Sequence, residues 1–123
     1  MIAEPLFGGQ IPLDTYGDMG FRVANRRIEG SVIMTPVGVF NWTATSFDLL
    51  SKASLEPLVA HANRIEVLVF GSGPSFVRMP RAIGAYLLDA GLRYDVMDTG
   101  AACRTYNVLV SDRRRVAAAL IAV

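Results

Sequence analysis

A chain of 123 residues is about one domain, long enough to bury a core without disulfides or structural metals. Twelve basic against eleven acidic residues leave a formal net charge of +1, too balanced to draw the chain to nucleic acid or to an anionic membrane. A hydrophobic fraction of 52% and a mean hydropathy of +0.37 are high for a soluble domain, so some apolar surface is expected to serve a protein partner or a second copy of the chain.

Residues 1–20 carry Pro5, Gly8, Gly9, Pro12, Gly17 and Asp18, which read as an irregular leader ahead of a core over 21–123. Phe21-Arg22-Val23, a turn at Asn25-Arg26-Arg27, and the run from Ile28 to Thr35 open that core, with Val32-Ile33-Met34 as the strongest strand signal. Pro36-Val37-Gly38 punctuates, and Val39 to Thr43 follows as a further strand. Short β-rich runs with no room for crossover helices predict an antiparallel meander. Ser54 is placed to cap a helix carrying Leu55, Leu58, Val59 and Ala62, with Pro57 in its first turn. His61, on that helix, has no partner near it in sequence and reads as an ordinary surface residue.

The second half changes character. Ile65-Glu66-Val67-Leu68-Val69-Phe70 is an almost continuous apolar run ending in Gly71-Ser72-Gly73-Pro74, the pattern of a parallel strand buried on both faces. Pro80 opens a helix with Ile83, Tyr86, Leu87 and Ala90 on its apolar side, and Gly91 stops it. Leu92 to Met97 supplies the next strand, so the order predicts a right-handed βαβ unit with parallel strands. Asp98 to Asn107 reads as a polar loop, and Val108-Leu109-Val110 as the end of another strand. Ser111 would cap a last helix buried through Val116, Ala119, Leu120 and Val123. Arg113-Arg114-Arg115 would then sit at the wrong end of that helix for its macrodipole, as a solvated face or as the contact for an acidic partner. The fold class expected is α/β with mixed α+β character: one compact domain, an N-terminal antiparallel meander packed on a βαβ-β-α C-terminal half, in β/β/α layers.

Parallel strands at 65–70 and 92–97 bring their trailing turns to one sheet edge, where open α/β sheets form a ligand crevice. The candidate binding surface is therefore Gly71, Ser72 and Gly73 facing Asp98, Thr99, Cys103, Arg104, Tyr106 and Asn107. Glycines admit a ligand close to the backbone, but they also simply turn the chain, and Thr, Asn and Tyr commonly brace loops. A dinucleotide fingerprint is incomplete: Gly71 and Gly73 fit and Asp98 is placed for a ribose, yet Phe76 stands where the third glycine belongs. No cofactor is expected. Cys103 has Arg104 beside it to lower its pKa but no general base nearby, and a lone cysteine among alanines is most often a small buried apolar residue. No catalytic set and no metal set is assigned; with one cysteine and one histidine the chain has neither an internal disulfide nor a zinc site.

The first residues, Met1-Ile2-Ala3-Glu4-Pro5-Leu6, match neither a secretory signal nor a transit peptide. The longest purely apolar run, Val116 to Val123, is far short of the ~20 residues that span a bilayer. A cytoplasmic protein that is not integral to a membrane is the expectation.

The segment from Val96 to Leu109, VMDTGAACRTYNVL, followed by Arg114 to Ile121, RRVAAALI, resembles the family of mitochondrial complex I assembly factor 3 and its small bacterial relatives. Phe21-Arg22, Gly30-Ser31-Val32, Trp42 and the strand ending in Gly71-Ser72-Gly73 agree, so the resemblance runs from about Gly17 onward. It implies a single β-and-α domain, a non-enzymatic role acting through protein contacts, and a place in respiratory-complex or membrane-protein biogenesis. The rival expectation is a small enzyme or ligand-binding protein using the crevice between Gly71–Gly73 and Asp98–Arg104.

Overall fold

The chain's most apolar runs have no polar face to show to water, and they become adjacent strands in the middle of one sheet. In a computed structural model, residues 4–123 are described; Met1, Ile2 and Ala3, the start of the expected leader, lie outside them. Six strands come first: β1 (Phe7–Gly8), β2 (Leu13–Gly17), β3 (Gly20–Val23), β4 (Arg26–Glu29), β5 (Ser31–Thr35) and β6 (Gly38–Trp42). A stretch of short helical turns follows, including α1 (Glu56–Val59). Then come β7 (Val67–Gly71), α2 (Arg81–Asp89), β8 (Tyr94–Met97), α3 (Thr99–Ser111) and β9 (Val116–Leu120).

The main sheet has six strands in the order β1-β6-β5-β9-β7-β8, and β2-β3-β4 form a second, three-stranded sheet. β7 runs parallel to β8, with Phe70 opposite Val96, and parallel to β9, with Phe70 opposite Ala119. β5 joins the halves, antiparallel to both β6 and β9. The α/β class, the meander and the parallel pair at 65–70 and 92–97 are therefore as expected. Side-chain alternation sends Val69, Val116, Ala118 and Leu120 to one face of the main sheet and Leu68, Phe70, Ala117 and Ala119 to the other. The first face is covered by α3 and the small sheet, the second by α2 and the helical turns. The chain moves outward from β7 to β8 and then back past β7 to β9, so crossovers of one hand put α2 and α3 on opposite faces.

Four expectations are corrected. The polar segment after Asp98 is a helix, and Val108-Leu109-Val110 belongs to its last turns, because Ala102, Cys103 and Tyr106 recur at helical spacing against the sheet. The run expected as a last helix is β9: every residue from Val116 to Leu120 is buried, and a strand with apolar side chains on both sides fits only the interior of a sheet. Ser111, expected as the cap of that helix, instead ends α3. The helix expected after Ser54 shrinks to the four residues of α1, preceded by Leu55 with no side-chain cap.

The supposed leader also contributes to the core. β2 is a strand whose Leu13 is buried, and β1 pairs with β6. Two tight turns build the small sheet: Asp18 and Met19, then Ala24 and Asn25, all have positive φ, as two-residue hairpin turns of the primed type require. The second turn thus falls one residue before the Asn25–Arg27 position expected for it. Among the described residues no helix is long and apolar enough to cross a membrane.

Candidate functional site

A helix beginning at a strand end needs acceptors for its first amides, and Asp98 supplies one: its Oδ1 accepts from the Ala101 N–H at 2.9 Å. From that cap the helical period turns Thr99, Ala102, Cys103 and Tyr106 inward and leaves Arg104 and Val108 exposed. The candidate residues consequently divide between fastening and display.

Thr99 fastens three strand ends at once. Its buried hydroxyl donates to the Ile121 carbonyl at 2.8 Å and accepts from the Gly73 N–H at 3.0 Å, while its own N–H donates to the Gly73 carbonyl at 2.8 Å. The Ser72 N–H donates to the Met97 carbonyl at 2.8 Å, and the Ser72 hydroxyl accepts from the Val77 N–H at 3.0 Å. A Cβ on Gly71 would come within 2.9 Å of the Thr99 Cα, which is why the smallest residue stands there. The turns after β7 and β8 do share a rim. The space between Gly71–Gly73 and the start of α3, expected to be an open crevice, is closed by these hydrogen bonds.

Tyr106 and Asn107 hold the segment before β3 against α3. The Tyr106 hydroxyl donates to the Ile11 carbonyl at 2.7 Å. Asn107 Oδ1 accepts from the Leu13 N–H at 2.8 Å, and its Nδ2 donates to the Leu13 carbonyl at 2.7 Å. One amide side chain thus offers the outer edge of β2 the donor and acceptor that another strand would offer. Burial pushes the Tyr106 phenol above its ordinary range. Gln10 adds a further tie, donating to the Arg114 carbonyl at 2.7 Å and accepting from the Val116 N–H at 3.2 Å.

Cys103 is 3% exposed and packs in the core beneath α3. Burial outweighs the neighbouring Arg104 guanidinium and pushes the thiol up to about 12, so the nucleophilic thiolate is scarce near neutrality. His61 lies on a different segment, with its Nδ1 2.8 Å from the Pro57 carbonyl. Of the arginine triplet, Arg114 pairs within the chain: its Nε is 3.1 Å from Glu66 Oε1. The Arg115 N–H and the Arg114 side chain hold the Glu66 carboxyl below its ordinary range. Among the described residues no cluster of His, Cys, Asp or Glu gathers that could hold a metal ion.

What α3 displays is one wall of a cleft of about 350 Å³. Asp14, Thr15 and Tyr16 of β2 form the other wall, Arg104 and Asn107 face them, and Leu13 and Cys103 lie at the bottom; the Asp14 carboxylate accepts from the Asn25 N–H at 2.9 Å. Gly100 lets Tyr16 lie across the first turn of α3, since a Cβ there would sit 2.7 Å from the tyrosine hydroxyl. Tyr16 is 40% exposed, and the exposed Arg104 enters no ion pair among the described residues. Tyr16 was not among the expected site residues. The available signal was Gly17 and Gly20 bracketing two residues, the spacing of a hairpin, which would have made β2 a strand with a face to present.

A family profile described as a protein of unknown function (DUF498/DUF598) matches residues 13–121. NADH dehydrogenase [ubiquinone] 1 alpha subcomplex assembly factor 3 of Xenopus tropicalis is 34% identical over 109 residues, which cover 89% of this chain and 60% of that protein. An uncharacterised protein of Rhodobacter capsulatus is 35% identical over 118 residues, covering 96% of this chain and 90% of its own length. A crystal structure of an outer membrane protein from Bartonella henselae superposes with a TM-score of 0.89 at 36% identity, over 94% of this chain and 98% of that one. The chain spans about three fifths of the length of the assembly-factor relatives that it matches.

Proposed function

The chain belongs to the family of proteins of unknown function DUF498/DUF598, and from that premise we propose that it is a protein-binding module of the assembly-factor kind, using the cleft between β2 and α3. Several of its relatives are named as assembly factors of NADH dehydrogenase. The observation that carries the reading is the division of labour along α3. Thr99, Tyr106 and Asn107 spend their polar atoms on the chain's own backbone, whereas Arg104 and Tyr16 keep a free guanidinium and an accessible ring at the mouth of the cleft. Arginine and tyrosine are the residue types that dominate binding energy at protein interfaces. The partner expected is a protein carrying a carboxylate for Arg104, met in a cytoplasmic setting.

The test is photo-crosslinking in the source organism, with a benzophenone amino acid at Val108, which is 60% exposed one turn beyond Arg104. Mass spectrometry of the product should identify a protein other than this chain, and Arg104→Glu should abolish the crosslink while the melting temperature holds. A crosslink indifferent to Arg104→Glu, or one formed only between copies of this chain, overturns the reading.

A further inference from the structure

A second surface lies on the other side of the main sheet, at its β8 edge. β8 is the terminal strand of the six and, among the described residues, pairs only with β7, so alternate N–H and C=O groups along its outer side have no strand there to bond. Beside it runs the exposed stripe of α2, Arg81, Ala85 and Leu88, at positions i, i+4 and i+7, with Gly84 buried next to it under the Tyr94 hydroxyl. With Arg78 and Tyr94 these residues line a groove of about 560 Å³. Its middle is apolar and shallow-walled, because Ala85 is small, the Tyr94 ring lies over Gly84, and Leu88 is 57% exposed.

Charge decides what fits. Arg78 and Arg81 stand at the groove, Arg93 immediately precedes β8, and none of the three enters an ion pair among the described residues. Asp95 does not neutralise them: Tyr94 and Val96 pack on the α2 side of the sheet and Met97 on the α3 side, which puts Asp95 on the α3 side as well. Asp89 is one position off the α2 stripe. A second copy pairing edge to edge would bring six arginines together. An anionic lipid surface offers no backbone to an edge strand, and it meets protruding rather than concave apolar surface.

We infer that this groove takes an extended acidic segment of a partner protein, added to the sheet as a strand beside β8. Strand addition supplies main-chain hydrogen bonds, and specificity comes from alternate side chains. Those on the α2 side should be acidic where they reach Arg78 and Arg81 and aliphatic over Ala85 and Leu88. Nothing in this inference depends on Arg104 or the cleft beside α3, so the two surfaces fail or stand separately.

The experiment is selection of a random decapeptide phage library on the intact chain. Enriched peptides should carry, on one alternating set of positions, Asp or Glu toward one end and aliphatic residues toward the other. A synthetic representative should lose about tenfold or more in affinity against Arg78→Glu/Arg81→Glu, as expected for removing charge-assisted contacts, and nothing against Arg104→Glu. Hydrogen exchange should slow at residues 94–97 when the peptide is bound, and circular dichroism should show both variants folded. The inference is overturned by no enrichment, by enrichment without acidic bias, or by protection elsewhere than β8. Binding that survives Arg78→Glu/Arg81→Glu overturns it, as does capture by phosphatidylglycerol vesicles in place of peptide.

Discussion

The two faces of the main sheet are held by different physics. On the α2 side, rings do the packing: Phe70 lies 5.7 Å from Phe47 and 5.8 Å from Tyr94, both edge-on, and 6.3 Å from Trp42. On the α3 side, side chains from one helix reach across the sequence to backbone groups of segments about 95 residues away, as Tyr106 does to Ile11 and Asn107 to Leu13. Rings orient one another edge to face, but the burial that drives them together is non-directional and sets no strand register. Hydrogen bonds to a strand edge fix register and position, which is what a cleft built from two distant segments needs. Dense polar residues on a helix can therefore be joinery rather than a reaction centre.

The contrast breaks most visibly at Phe70. Phe70→Ala removes a fully buried ring from the centre of the aromatic face and should cost about 3–5 kcal/mol in urea unfolding. For a domain whose whole stability is of order 5–15 kcal/mol, that leaves a marginal fold that unfolds as a unit. A loss under about 1 kcal/mol would mean that the face repacks and that the ring contacts are incidental.

Asn107→Ala should cost less and act locally. It leaves the Leu13 N–H and carbonyl without partners in a partly buried position, at about 1–3 kcal/mol. Hydrogen exchange should quicken across 13–17 well before it quickens in β7 or β9, because the strap detaches from a sheet that remains intact. Unchanged exchange at β2 would show that the Tyr106 bond alone holds the strap, and would free Asn107 to serve a partner.

The parts legible beforehand were those where local and global signals agree. The apolar run into Gly71 marks β7, and Pro80 and Gly91 bracket α2. β9 was hidden because Val116-Ala117-Ala118-Ala119-Leu120 satisfies helical spacing and a buried strand equally well. Only its place between β5 and β7, in contact with both layers, decides. β2 was hidden by the glycines, prolines and aspartate around it. In the candidate site, the two turns do meet, and Thr99, Tyr106 and Asn107 of α3 spend their side chains on backbone groups. The use of Thr99 in closing that junction, and of Tyr106 in holding the segment before β3, could not be read without knowing that Ile121 and Ile11 arrive beside them from elsewhere in the chain.

α3 itself went unseen for a reason that makes the smallest prediction. Both helices end in the same motif. After α2, the Gly91 N–H bonds the Leu88 carbonyl and the Leu92 N–H that of Leu87, both at 3.0 Å. After α3, the Arg113 N–H bonds Val110 and the Arg114 N–H bonds Leu109, also at 3.0 Å. The reversal needs a left-handed residue, and Gly91 (φ 85°) supplies it freely while Arg113 (φ 61°) bears the strain of a side chain there. No glycine marks the end of α3, so its stop is invisible in the sequence. Arg113→Gly should raise stability by about 0.5–1 kcal/mol, the relief of that strain less glycine's greater freedom in the unfolded chain. Gly91→Ala should lower it by about 1–2 kcal/mol, since no neighbour lies within 4 Å of the added Cβ and only the backbone objects. Matched urea midpoints that move in opposite directions would establish one motif with two solutions. If Arg113→Gly instead destabilises, the Arg113 side chain has a stabilising role that outweighs its backbone strain, and the two helix ends are not equivalent.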